Sequence, residues 1–124
     1  TVAAATGAPT GIIAGQAWEN EPAVALSHYH RAKTGSLFEA ATVCGAIAAG
    51  ADPKTWSTLG ARIGEAYQVA DDIHDLMSSA EERGKPQGQD AAHNRPSATA
   101  ELGFDGAVSR LKLLMSEAIA SIPD

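Results

Sequence analysis

The sequence predicts an all-α protein, and three observations carry this prediction. Ala, Leu, Ile, Glu and Lys dominate the long segments. Apolar residues recur in those segments at three- and four-residue spacing, as they do along one face of a helix. Alternating runs of Val, Ile, Thr and Tyr, which would indicate strands, are missing. With 124 residues, of which 44% are hydrophobic, the chain corresponds to one domain or to part of one.

The first predicted element is a short helix. Gly7, Pro9 and Gly11 interrupt the opening segment and indicate a junction between helices. Residues 12–16 follow as a short buried helix, which is expected to end before residues 20–22.

The first long helix is predicted from about residue 23 to residue 49. Gly50 is its expected C-cap, because glycine readily takes the positive φ at which many helices end. Asp52 and Pro53 then open the next helix as its N-cap and first residue. The apolar stripe of this first long helix consists of Leu26, Tyr29, Ala32 or Lys33, Leu37, Ala40 or Ala41, Cys44 and Ile47. Its many small residues favour close packing against a second helix.

The second long helix begins at Pro53 and is expected to fray over residues 78–82. Its stripe consists of Trp56, Leu59, Ile63, Ala66, Tyr67, Ala70 and Ile73, with Met77 at the far end. Residues 84–88 and the polar stretch up to Pro96 predict a loop. A short helix ending at Gly103 and a final amphipathic helix complete the chain. The final helix carries Val108, Leu111, Leu114, Met115 and Ile119.

Charge and hydropathy exclude two classes of partner. Nine Lys and Arg residues oppose fifteen Asp and Glu residues, a formal net charge of -6, and the basic residues are scattered singly. Phosphate backbones are bound by clustered basic residues, so a nucleic-acid partner is not expected. The longest apolar stretch, residues 40–51, is shorter than the ~20 residues that a membrane span requires. We therefore expect no membrane span and a cytoplasmic location.

An acidic cluster on the second long helix is the first candidate site. Asp71 and Asp75 are four residues apart, so they share one helix face, and Asp72 flanks them. Asp is a poor mid-helix residue, which means that local helix propensity does not explain the cluster. Three oxygen ligands on one face suit a hard divalent cation such as Mg²⁺. The alternative is a solvated acidic face, which is the ordinary interpretation of an acidic run.

A cation and a hydroxyl form the second candidate site, on the first long helix. Lys33 and Thr34 are adjacent in the segment of residues 29–35, and Lys85 and Arg95 flank the later loop as further cations. A cation, a hydroxyl donor and metal-binding carboxylates together suit a metal-bound diphosphate.

These motifs, in this order, resemble the C-terminal half of a trans-isoprenyl diphosphate synthase. The ordered set is Gly15-Gln16, Lys33-Thr34-Gly35, Tyr67-Gln68, Asp71-Asp72-Ile73-His74-Asp75 and Gly84-Lys85 followed by Gly88 and Asp90. The segment of residues 29–38 is most similar to bacterial geranylgeranyl diphosphate synthases. The resemblance implies that residues 1–124 are the C-terminal portion of a polyprenyl synthetase domain. It also implies an antiparallel helical bundle of the isoprenoid synthase type.

The resemblance assigns roles to most candidate residues. Asp71 and Asp72 would bind Mg²⁺ that bridges to an allylic diphosphate, and Asp75 would complete the motif. Lys33 would contact that diphosphate, while Thr34 and Gln68 would line the carbon that ionises. Of the two loop cations, Lys85 would hold the leaving group, and Arg95 stands where a Lys is common. The substrates would be isopentenyl diphosphate and an allylic diphosphate, and the protein would be a homodimer.

One part of the family pattern is absent from the sequence. Family members carry a first aspartate-rich motif on an earlier helix, and these 124 residues contain no second cluster of that kind. The chain alone is therefore expected to be inactive within an otherwise catalytic protein. The alternative is a noncatalytic helical module that binds or regulates a partner.

The histidines are not expected to be functional. His28, His30 and His93 have no second ligand at useful spacing, so we predict surface residues and not metal ligands. His74 lies inside the acidic motif and need not contact a metal.

Overall fold

The computed structural model describes residues 1–18, 21, 23–82 and 96–123, with residues 79–82 described by their backbone alone. The described residues form helices and no strand, so the all-α prediction is confirmed. The helices are α1 (Val2–Thr6), α2 (Ile12–Trp18), α3 (Leu26–His30), α4 (Ser36–Ala48), α5 (Pro53–Glu82) and α6 (Ala98–Ala120). A π-helical segment, Arg31–Gly35, joins α3 to α4.

The predicted helix boundaries are confirmed at several points. Asp52 caps α5, since its carboxylate accepts a hydrogen bond from the Lys54 backbone N–H at 3.1 Å. Gly50 takes the predicted positive φ of 71°. Gly103 also has a positive φ, 73°, and divides α6 by a kink into a short first helix and a longer second one, as predicted. Three features differ: α1 was not predicted, the first long helix begins at Leu26 and not at residue 23, and a π segment interrupts it. The last described residue of α5, Glu82, lies at the end of the range over which fraying was expected.

The long helix α5 lies at the centre of the fold. It packs against α4 and the π segment on one side and against α6 on another. A core of small and aliphatic side chains fills the α5–α6 contact: Ala66, Val69, Ala98, Ala107 and Leu114, with Leu26, Ile73 and Leu111 packed against it. The short connection of residues 49–52 makes α4 and α5 an antiparallel pair.

The predicted apolar stripes are only partly buried. Tyr29 and Leu114 are fully buried, whereas Tyr67, Met77 and Ile119 are more than half exposed. Helix α2 was predicted to be buried, yet its Ile13 is also exposed. A stripe predicts which side chains share a face, but how far the neighbouring helix extends decides which of them it covers. No helix in the described ranges is long and apolar enough to cross a bilayer.

Candidate diphosphate and metal site

The π segment carries Lys33 and Thr34 at the centre of the first long helix. A π turn contains one residue more than an α turn and occurs often at functional sites. The ammonium of Lys33 donates a hydrogen bond to the hydroxyl oxygen of Tyr29 at 3.0 Å. The same ammonium lies 5.2 Å from the centroid of the Tyr29 ring. Because Tyr29 is fully buried, it holds the cation near one position on the helix.

Helix α2 contacts the backbone of the same segment through Gly15. A Cβ atom at Gly15 would lie 2.6 Å from both Cα and N of Lys33, which is too close for any side chain. Because Gly15 has no side chain, α2 can pack directly against the backbone of the π segment.

Gln68 links Thr34 to α5, the helix that carries the acidic cluster. The hydroxyl of Thr34 donates to the side-chain oxygen of Gln68 at 2.9 Å. The amide nitrogen of Gln68 makes a long contact, 3.5 Å, with Oδ1 of Asp72 one turn further along α5. Gln68 is buried, so both ends of its amide are fixed between the two helices. The structure thus brings the predicted residues Thr34, Gln68 and Asp72 into one polar chain.

The second oxygen of Asp72 is occupied by two other groups. The backbone N–H of Ala98, at the start of α6, donates to Oδ2 of Asp72 at 2.7 Å. The Nε2 atom of His30 lies 3.1 Å from the same oxygen. This contact is close but too bent to be a well-formed hydrogen bond, and Nε2 has no other partner among the described residues. Asp72 therefore points into the protein.

Asp71 and Asp75, in contrast, are exposed. Near the Asp75 carboxylate lies the imidazole of His74, with Nδ1 4.0 Å from Oδ1. Among the residues that the structure describes, no three His, Cys, Asp or Glu side chains form a ready-made metal cage. Mg²⁺ commonly uses one or two carboxylates together with substrate phosphates and water. Asp71 and Asp75 fit that pattern, and Asp72 could add only Oδ1.

The remaining predicted site residues, Lys85 and Arg95, lie outside the described residues, as does His93. Two open pockets occur elsewhere in the described part of the chain. One, of about 590 Å³, includes Trp18, His28 and Ala40 in its lining. The other, of about 310 Å³, is lined by polar residues of α3, α4 and α5. Neither pocket is lined by a predicted site residue.

The prediction that His30 is a surface residue was wrong. His30 is 1% exposed, whereas His28, two residues earlier, is exposed as predicted. The sequence held a usable signal: His30 lies four residues after Leu26 and three before Lys33, so it adjoins the apolar stripe and the functional segment. Tyr29 was predicted only as a stripe residue, and its contact with Lys33 was also missed.

Comparison with known proteins gives consistent matches. The polyprenyl synthetase family model matches residues 4–120. The geranylgeranyl diphosphate synthase of Cereibacter sphaeroides is 59% identical over 98% of this chain and 42% of its own length. That of Rhodobacter capsulatus is 55% identical over 95% of this chain and 41% of its own length. The chain thus spans about two fifths of these relatives.

A solved structure matches the fold as well. The geranyltransferase of Helicobacter pylori superposes with a TM-score of 0.74 and 27% identity, over 97% of this chain and 41% of that one. The helical arrangement described above is therefore also found in part of that geranyltransferase structure.

Proposed function

Since the chain belongs to the polyprenyl synthetase family, we propose that it forms part of a Mg²⁺-dependent prenyltransferase. The intact protein condenses isopentenyl diphosphate with an allylic diphosphate to a short-chain product, geranylgeranyl diphosphate, the compound named in both bacterial relatives. Residues 1–124 are the C-terminal portion of the synthetase domain. The Thr34–Gln68 hydrogen bond carries the proposal, because it holds the Lys-Thr pair against the acidic helix.

The reaction breaks the bond between the allylic carbon and its diphosphate oxygen. The double bond of isopentenyl diphosphate then forms a new bond to that carbon, a proton leaves, and pyrophosphate is released. Negative charge grows on the leaving oxygen as the bond breaks, so a fixed cation nearby lowers the barrier. Lys33 supplies such a cation, and its contact with buried Tyr29 restricts where the charge can go.

Positive charge develops on the allylic carbon at the same time. The side-chain oxygen of Gln68 accepts one hydrogen bond from Thr34 and keeps a second lone pair. A fixed amide oxygen is the partially negative end of a dipole, so it stabilises a neighbouring carbocation. The amide oxygen is also a weaker nucleophile than a carboxylate oxygen. This supports the assignment of Thr34 and Gln68 to the wall around the ionising carbon.

Asp71 and Asp75 would hold the metal, with Asp72 contributing at most Oδ1 because Oδ2 is already occupied. Bound Mg²⁺ supplies Lewis-acid stabilisation of the departing diphosphate. Lys85 and Arg95 are proposed as further diphosphate contacts from the loop.

The test compares two site variants with two matched surface variants in the intact protein. Lys33→Ala and Asp71→Ala should keep the helix content but lower turnover by about 100- to 1,000-fold, as for removal of one charge-stabilising group. Lys112→Ala and Asp105→Ala, both exposed on α6, should retain full activity. The measurements are Mg²⁺-dependent product formation, chromatography of the product and far-UV circular dichroism. Undiminished turnover in both site variants would contradict the assignment.

Three further parts of the proposal concern the whole protein. The 124 residues alone should be inactive, because the sequence lacks the first aspartate-rich motif. The active form is a cytoplasmic homodimer. Activity in the isolated chain would refute the first statement, and a monomeric mass of the active protein in light scattering would refute the homodimer. An intact protein that binds Mg²⁺ and diphosphate but never forms product would instead favour a noncatalytic module.

A further inference from the structure

His30 is a buried polar side chain to which the proposed reaction gives no role. It is 1% exposed and is among the largest fully buried side chains of the described residues. Its ring lies against that of Tyr29, with 5.8 Å between the centroids. Its Nε2 atom is buried, so this nitrogen requires a polar group of the protein as its partner.

Among the described residues, the polar group close to Nε2 of His30 is one carboxylate oxygen. Oδ2 of Asp72 lies 3.1 Å from Nε2 of His30 and also accepts the backbone N–H of Ala98 at 2.7 Å. The contact is electrostatic, because a hydrogen on Nε2 places positive charge close to Oδ2 without the alignment of a well-formed hydrogen bond. One oxygen of α5 therefore connects α3 with the start of α6.

This connection determines where the functional groups of two helices stand. Lys33 follows His30 by three residues on one continuous helical stretch, and Asp71 precedes Asp72 directly on α5. With Oδ2 fixed by two contacts, the Asp72 side chain has little rotational freedom, and Oδ1 stays toward Gln68. The distance between the cation of Lys33 and the acids of α5 therefore depends on the His30–Asp72 contact.

We infer that His30 is a positioning residue. Through Oδ2 of Asp72 it holds α5, which carries the acidic cluster, in register with the π segment, which carries Lys33 and Thr34. This inference rests on the proposed function. It does not require His30 to touch substrate or metal. Groups that orient metal-binding residues typically change metal affinity or activity by about 10- to 100-fold when they are removed.

The test replaces His30 of the intact protein by either of two amide side chains that differ in length. The side-chain nitrogen of His30→Gln can occupy the place of Nε2, whereas that of His30→Asn reaches only the place of Nδ1. The probe is Mg²⁺ with inorganic pyrophosphate, measured by titration calorimetry. We expect His30→Gln to bind within a few-fold of the wild type and His30→Asn to bind about 10- to 100-fold more weakly. Turnover should follow the same order.

Two controls separate positioning from a general role in folding. His28→Asn and His28→Gln change an exposed histidine on the same helix and should bind the probe as the wild type does. Thermal unfolding without ligand reports stability alone. Equal probe affinity of His30→Asn and His30→Gln, whatever their melting temperatures, would overturn the inference. A wild type that does not bind the probe would instead reject the proposed function, together with this role.

Discussion

Replacing Gly64 by Ala should separate the two helices that form the site. Gly64 is buried on α5, and a Cβ atom there would lie 2.5 Å from Cα of Gly35 and 3.1 Å from Cβ of Phe38. Neither neighbour can rotate away, because one is backbone and the other is attached directly to it. Carbon atoms in ordinary contact are about 3.5–4.0 Å apart, so the helices must separate by roughly 1 Å.

The size of the effect follows from three contributions. Overpacking costs about 1–3 kcal/mol, and the better helix propensity of alanine returns about 0.5–1 kcal/mol. The Thr34–Gln68 hydrogen bond, 2.9 Å long, would be stretched beyond hydrogen-bond range and would cost about 0.5–1.5 kcal/mol more. We expect Gly64→Ala to lower the free energy of unfolding by about 0.5–4 kcal/mol.

Gly45→Ala is the matched control for this experiment. Gly45 is also in a helix, but a Cβ atom there would meet nothing within 4 Å. This variant should therefore raise the free energy of unfolding by about 0.5–1 kcal/mol. Urea denaturation of the intact protein, followed by far-UV circular dichroism, measures both effects. If Gly64→Ala is as stable as Gly45→Ala, the helices are not in the close contact described above, and the reasoning is refuted.

Two further substitutions test local interactions. Ser97→Ala removes the side chain that caps α6, which accepts the backbone N–H three residues later at 3.1 Å, so the free energy of unfolding should fall by about 1 kcal/mol in urea denaturation. An unchanged midpoint would contradict the cap. Tyr29→Phe keeps the ring beneath Lys33 but removes the hydroxyl, so turnover should fall by about tenfold, with the melting temperature changed little. A variant that loses stability but keeps its turnover would show that Tyr29 acts only in packing.

Helix positions could be predicted because their signals are local. The Asp52 cap, the first-turn proline and the glycine after α4 each act on backbone groups within a few residues, and each appears where the sequence places it. The π segment could not be predicted in this way. Its extra residue per turn is tolerated because α2 and α5 support it from two sides, through Gly15 and Gly64.

The candidate site shows the same division between features that local sequence predicts and features that helix packing decides. Thr34 and Asp72 were named from the sequence pattern and Gln68 from the family resemblance, and the structure brings all three into one polar chain. The three acids are alike in sequence, but only contact with α6 and His30 turns Asp72 inward, while Asp71 remains exposed. Adjacent residues on a helix differ in direction by about a quarter turn, so small differences in register decide which of them a neighbour buries.

The amino-acid sequence by itself determined the helical class, several of the helix ends and most of the chemically capable residues, because each depends on composition and on neighbours within one or two turns. Tertiary structure alone decided that His30 is buried, that Asp72 joins three helices and that part of each apolar stripe stays exposed. These outcomes depend on contacts between residues far apart in the chain, such as His30 with Asp72 and Asp72 with Ala98. No local pattern encodes such distances, since they arise only when whole helices pack together.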